Sequence, residues 1–273
     1  MKQIITLMLV LLFTTSITSF LFAQESRTII VGTSSSLYDS GLLNHLKPIF
    51  EKQYGYKLDI RPIGTGLALT ALTKGEIDAA ITSNKSAEEY VINSGHSRER
   101  KEFVYTYYVL LAPASDPASA SICYTLPEAF KRIKNSGQQF VSRGDLSGTN
   151  AKELMIWKKC GFTKQELEKE NFYIQTGKGC LQTLISANSI PAYTLSDLAN
   201  YTVCEKNINL KSLPQLKSDK CVYSIITPDY KKFKKTNYRG AYLLMKFLTS
   251  NEAKKAIEAY GVEQHGKQLY YGI

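Results

Sequence analysis

The sequence predicts an α/β protein of two lobes, and three features of its patterning carry that prediction. Short β-branched or aromatic runs alternate with segments of helical apolar spacing from residue 28 to residue 112, the pattern of a sheet with crossover helices. A Pro- and Ser-containing stretch at 113–121 interrupts the alternation, which then resumes. A final β run and two helices follow residue 221 and have no evident partner in the second block. Packing them back on the first block gives lobe 1 as residues 24–112 plus 222–273 and lobe 2 as 113–221. The chain then crosses between lobes twice. No internal repeat of fixed period is present.

The elements follow in order. Residues 28–31 are a β-branched strand, and 41–54 a helix with Leu42, Leu43, Leu46, Ile49 and Phe50 on one face. Pro48 inside it is expected to bend the helix or shift its start. Residues 57–63 alternate as a strand, 67–73 form a short helix, 77–82 a strand and 86–94 a helix. A long Tyr- and Val-rich strand spans 103–112. After the break, helices are expected at 126–135, 148–160, 164–170 and 180–189, with strands at 139–142 and 192–195. Residues 222–227 are another β run. Ala241, Leu244, Met245 and Leu248 make one helical stripe, and Ser250 caps a last helix ending at Gly261. The cluster from Lys231 to Lys235 reads as a solvated surface.

Composition narrows the function. Of 273 residues, 44% are hydrophobic and 21% charged, which excludes a disordered chain. The formal net charge of +10 admits nucleic acid, anionic membrane or a small anion as partner. No zinc finger or RNP-type aromatic motif occurs, so nucleic acid is not expected. Five Cys without a C-x-x-C pair disfavour structural zinc, and three His disfavour a His-rich metal site. No cofactor is expected.

Residues 1–23 read as a signal peptide. Lys2 is the one charge before Glu25, an apolar run spans 4–13 with Thr6 inside it, and the small Ala23 precedes a plausible cut. The apolar core is shorter than the roughly 20 residues a membrane span needs. A retained N-terminal anchor is the alternative. Cleavage makes the product exported, soluble and periplasmic, where disulfides can form. Cys204 and Cys221 flank a polar Lys-containing loop and are the first candidate pair, though several free buried thiols fit as well.

The turns between strands and helices are the informative motifs. Thr33-Ser34-Ser35-Ser36 and then Asp39-Ser40-Gly41 follow the first strand; Gly64-Thr65-Gly66 follows the second. Arg143-Gly144-Asp145-Leu146-Ser147-Gly148-Thr149-Asn150 precedes the helix at 148, and Thr176-Gly177-Lys178-Gly179 the helix at 180. A helix N-terminus has unpaired N–H groups and the positive end of the dipole, and Ser, Thr and Gly there suit an anion. In an open α/β sheet such turns share one edge. A fully deprotonated oxyanion only accepts hydrogen bonds, so a site built of donors fits it. Each turn also has a plainer role: Ser40, Ser147 and Thr149 can cap helices, and Gly64 and Gly66 can supply φ > 0. Arg143 can pair with Asp145 or face the oxyanion as a fixed charged fork. No P-loop is present.

These motifs, in this order and over nearly all of the mature chain, resemble the substrate-binding proteins of bacterial tungstate ABC transporters, which are type II periplasmic binding proteins. The matching segments are Thr33–Ser36 with Asp39-Ser40-Gly41-Leu42-Leu43, Ile63-Gly64-Thr65-Gly66-Leu67-Ala68, Ser142 to Thr149, Thr176-Gly177-Lys178-Gly179 and Ala192-Tyr193-Thr194-Leu195-Ser196-Asp197. The resemblance implies two α/β lobes closing on one oxyanion, tungstate or molybdate, and delivery to an ABC-transporter membrane permease by a monomer. It implies ligand contacts at Thr33, Ser34, Ser35, Ser36, Thr65, Arg143, Ser147 and Thr149. Tungsten would enter only as the oxyanion, with no bound metal ion. The chain departs from the family pattern at Thr82-Ser83-Asn84, where V-H-[AS] is frequent, at Asn150, where His is usual, and at Cys180, where Met is common. With no imidazole at those positions, affinity is expected to stay flat from about pH 5.5 to 8.

Two other functions compete. A phosphate- or sulfate-type binding protein would need an acceptor for the phosphate proton, which Asp39 or Asp145 could supply. An exported phosphoesterase would need a base from His45, His96 or His265, which read as surface or cap residues. The expectation is a binding protein, not an enzyme.

Overall fold

The structure is a computed structural model that describes residues 27–214, 216 and 219–273. The expected signal peptide, 1–23, lies outside the described residues. The first block builds β1 (Thr28–Thr33), α1 (Ser35–Asp39), α2 (Leu42–Tyr54), β2 (Lys57–Arg61), α3 (Thr65–Lys74), β3 (Ala79–Thr82), α4 (Lys85–Asn93) and β4 (Ser97–Ala112). The second contains α5 (Leu126–Asn135), β5 (Phe140–Ser142), α6 (Gly148–Lys159), α7 (Lys164–Leu167), β6 (Tyr173–Gln175), α8 (Cys180–Ser189), β7 (Tyr193–Asp197), α9 (Leu198–Cys204) and β8 (Lys211–Ser212). β9 (Lys220–Pro228), α10 (Tyr238–Leu248), α11 (Asn251–His265) and β10 (Tyr271–Gly272) complete the described chain.

The strands pair in the order β2-β1-β3-β9-β4-β7-β5-β6, with β8 and β10 both on β4. β1 is parallel to β2 and β3, whereas β9 runs antiparallel to both β3 and β4. The 16-residue β4 divides its partners: Ser97 to Tyr107 lie beside β9, and Tyr108 to Leu111 beside β7. β5 is parallel to β6 and β7. The mixed sheet with flanking helices is the α/β architecture predicted from the alternation. β4 is the strand that pairs on both sides, with β9 in its first part and β7 in its last.

Packing follows the apolar spacing. α5 buries Leu126, Ala129, Phe130 and Ile133, positions i, i+3, i+4 and i+7 of one face, behind a Thr125/Glu128 capping box. The one Trp, Trp157, is fully buried, with ring centroids 4.7 Å from Phe130 and 5.3 Å from Phe140. α10 buries Ala241, Leu244, Met245 and Leu248, the stripe read from the sequence. Ser250 caps α11 as expected, but the helix continues past Gly261 to His265 and stops at Gly266, φ +70°. α2 runs through Pro48 without interruption. Asn44 and Pro48 are both exposed, so the carbonyl that loses its helical donor faces water.

Two expectations fail. No disulfide joins Cys204 and Cys221; all five Cys are free thiols. The Cys204 thiol points back along its own helix to the Asn200 carbonyl at 3.2 Å, and Cys221 is fully buried on β9. Ser40 does not cap α2, because Gly41 occupies the cap position with φ +83°. Ser40 instead donates to the Leu37 carbonyl and accepts from the Tyr270 hydroxyl at 2.7 Å.

Candidate functional site

The hydroxyl run after β1 forms the first turn of α1. Ser34 is the N-cap and accepts from the Leu37 N–H, so the helix starts at Ser35. Thr33 is fully buried and donates to the Ile81 carbonyl of β3, which fixes the strand end rather than presenting a hydroxyl. Gly64 precedes α3 at φ +85° and ψ 158°, a region open to glycine but not to other residues. That conformation places Thr65 as the first residue of α3, 1% exposed, its Oγ1 without a hydrogen-bond partner.

From the other half comes Arg143, directly after β5 and 2% exposed. Its Nη1 donates to Ser36 Oγ at 2.6 Å and its Nη2 to Ser35 Oγ at 3.0 Å. Nε and Nη2 also donate to Asp145 Oδ2. Burial disfavours the guanidinium charge, yet the groups around it, Asp145 among them, hold its pKa above the usual value. The Asp145 pair is thus present, and the same guanidinium also reaches Ser35 and Ser36 in the first turn of α1. Because Ser35 and Ser36 accept from the guanidinium, their own O–H hydrogens remain to be donated elsewhere. Arg143 thus acts on the site partly through two hydroxyls that it orients and polarises.

Ser147 caps α6, accepting from Asn150 N at 3.2 Å. Gly148, Thr149 and Asn150 are the first three residues of that helix and are all buried. Gly148 lies against Ser83 of the other half: a Cβ there would stand 2.4 Å from the Ser83 carbonyl oxygen. Gly179, ahead of α8, approaches Ser35 in the same way, with Cys180 N donating to Ser35 Oγ at 3.4 Å. Asn200 Nδ2 of α9 reaches across to the Ser36 carbonyl at 3.0 Å. The two halves are in contact around the site, and a groove of about 470 Å³, rimmed by Ile63, Leu67 and Leu146, opens beside it.

The structure thus joins Ser35, Ser36 and Arg143 directly. It places Thr65, Ser147 and Thr149 buried at helix N-termini. Thr33 and Ser34 serve the backbone. Sequence reasoning missed Asn200, whose signal was an Asp-x-x-Asn pair: Asp197 caps α9 and accepts from both Asn200 N and Nδ2. It also missed Glu153. This fully buried carboxylate accepts from Ser142 Oγ, Asn150 Nδ2, Tyr173 Oη and Trp157 Nε1, beneath the turn that carries Arg143 and Ser147. Asn150, in the position usual for His, is occupied with Glu153 and Ser142.

Glu153 makes folding stability, as distinct from anion affinity, dependent on pH. Burial raises its pKa to about 7, against the lowering effect of its four donors. A titrating carboxyl therefore sits inside the 5.5–8 window. The native state holds its proton between pH 4.5 and 7 while the unfolded chain has released it. Stability accordingly falls as pH rises through this range, by about 3 kcal/mol in all. Glu153→Gln is expected to remove that part of the pH dependence when denaturant unfolding is measured at pH 5 and pH 8. An equal slope in both proteins would refute it.

With this geometry, the chain can be set beside known proteins. A PBP superfamily domain model matches residues 23–258. The tungstate-binding protein TupA of Peptoclostridium acidaminophilum is 32% identical over 252 residues, 90% of this chain and 86% of that protein. The crystal structure of the tungstate ABC transporter from Geobacter sulfurreducens superposes with TM-score 0.78 at 33% identity, over 85% of this chain and 98% of the other. The tungstate-binding protein TupA from Desulfovibrio alaskensis G20 gives 0.73 at 29% identity, over 90% and 98%.

Proposed function

The chain belongs to the PBP superfamily, and on that premise we propose that it is the substrate-binding component of an ABC importer, capturing a tetrahedral oxyanion, tungstate or molybdate. The observation that carries this reading is Arg143, a buried forked cation from one half that holds Ser35 and Ser36 of the other. Around it, hydroxyls and helix N-termini supply donors without an evident free acceptor. The similarity to tungstate-binding relatives over about nine-tenths of the chain supports the same ligand class. In this reading the lobes are residues 24–112 plus 222–273 and 113–221, with β4 and β9 as the crossings. Residues 1–23 direct export, and a monomer in the periplasm delivers the anion to a membrane permease.

No bond chemistry is needed. The open protein meets the anion, donors from both halves favour closure, and the closed form is the one delivered. Of the two acceptors considered for a phosphate proton, Asp145 is engaged on both oxygens, by Arg143 and by Ser147 N. Asp39 is engaged as well, accepting from the Leu181 backbone N–H, and burial raises its pKa. This favours a fully deprotonated dianion over phosphate. For hydrolysis, no group of three or more His, Cys, Asp or Glu that could hold a metal occurs among the described residues. His45 packs on Tyr260 and His96 on Phe233, while His265 ends α11.

Calorimetry with tungstate, molybdate, sulfate and phosphate tests the proposal, together with an assay on a generic phosphate ester. Tight one-to-one binding of tungstate or molybdate with no turnover is the expected result. Failure to bind any oxyanion would sink the reading.

A further inference from the structure

We propose that Tyr223 of β9 donates a hydrogen bond to the bound oxyanion. The inference rests on the oxyanion-binding reading above. Tyr223 is fully buried, and its hydroxyl has no partner in hydrogen-bonding geometry, with the weakly polar Cys221 thiol beside it. A buried polar group without a partner is costly and uncommon, and it asks for the group that completes it.

The surroundings indicate which group that is. β9 is antiparallel to β3 with Ser224 opposite Thr82, so the register brings Tyr223 level with Ser83, the residue that meets Gly148 from the other half. Arg143, Asp197, Cys221, Tyr108 and Tyr270 are the charged and polar groups around it. Tyr108 Oη is directed to the Gly148 carbonyl at the start of α6, and Tyr270 Oη is committed to Ser40 Oγ. Tyr223 therefore stands among side chains that reach α1 from one half and α6 from the other, and its own hydroxyl is the uncommitted one of the three. Thr65 Oγ1, buried and unpartnered at the first turn of α3, is the second such hydroxyl at the site. Burial pushes the Tyr223 phenol well above its ordinary pKa, so it remains a protonated donor throughout the working range. A phenol donor suits an anion that only accepts.

The test is Tyr223→Phe in the full-length mature protein. It removes one oxygen and keeps the ring, so folding is preserved. Calorimetry with sodium tungstate and sodium molybdate is expected to show about tenfold weaker binding than wild type. The melting temperature of the ligand-free variant should be unchanged or higher, because an unpartnered buried hydroxyl has been removed. Unchanged affinity for both anions would overturn the proposal while leaving the oxyanion function intact. Weaker binding with a lowered ligand-free melting temperature would also overturn it, since that pattern marks a structural role. If the wild-type protein bound neither anion, the functional reading itself would fall, an outcome separate from the other two.

Discussion

Replacing Arg143 with Gln is expected to weaken oxyanion binding about 100-fold, with a small change in the stability of the ligand-free protein. Each hydrogen bond to a charged group contributes roughly 1.5–3 kcal/mol, and a loss near 2.7 kcal/mol is a factor of about 100. The loss has two parts. The charge facing the anion disappears, and Ser35 and Ser36 no longer have the donors that orient them. The ligand-free protein tolerates the change because Asp145, the partner left behind, is only partly buried and can turn to water. Lys should not rescue it, since an ammonium cannot reach two hydroxyls and Asp145 as a planar fork does. Calorimetry of Arg143→Gln and Arg143→Lys checks both statements. Wild-type affinity in either variant would remove Arg143 from the site.

Gly148→Ala is the second large effect, and it acts on closure rather than on contact with the ligand. The added methyl would lie 2.4 Å from the Ser83 carbonyl oxygen and 2.4 Å from Ser83 Oγ, across the junction of the halves. The hydroxyl can rotate away, but the carbonyl cannot move without the backbone of the β3–α4 turn. Overpacking of this kind costs about 1–3 kcal/mol. If it is relieved by the halves standing apart, affinity falls about 10- to 100-fold. The open protein should not suffer, because Ala in a helical first turn is favoured over Gly by roughly 0.5–1 kcal/mol. The expected signature is weak tungstate binding, an unchanged or raised ligand-free melting temperature, and a radius of gyration that no longer shrinks on adding the anion. Normal contraction in solution scattering would refute the wedge.

The two predictions differ in what the sequence alone could support. Arg143 was legible, because a fixed cation beside Gly-Asp and ahead of a Ser-Gly-Thr helix start is a recognisable anion motif. The wedge was not legible. Nothing near Gly148 in sequence shows that Ser83, 65 positions earlier, closes against it. The same division runs through the fold. Strands and helices with a strong period, such as β1, α2, α5 and α10, were placed because burial of one face leaves a local trace. Weakly patterned elements, α1, α9, β6 and the two-residue strands β8 and β10, were not, because their neighbours rather than their sequence stabilise them.

The sequence by itself determined the α/β class, the order of the main elements, and a set of hydroxyl, Gly and Arg residues suited to an anion. Those are consequences of local chemistry: side-chain period, helix-start residues and the fixed charge of Arg. The tertiary structure alone decided which members of that set share the site and which serve the backbone. Thr33 and Ser34 look the same as Ser35 and Ser36 in a run of four hydroxyls, yet the first pair ties down β1 and α1 while the second meets Arg143. It also left Cys204 and Cys221 unbridged and buried Glu153 under the α6 turn. These outcomes depend on strand register and on contacts between residues far apart in the chain. Hydrogen-bond partners across a sheet or a lobe junction are set by packing, and no short stretch of sequence encodes them.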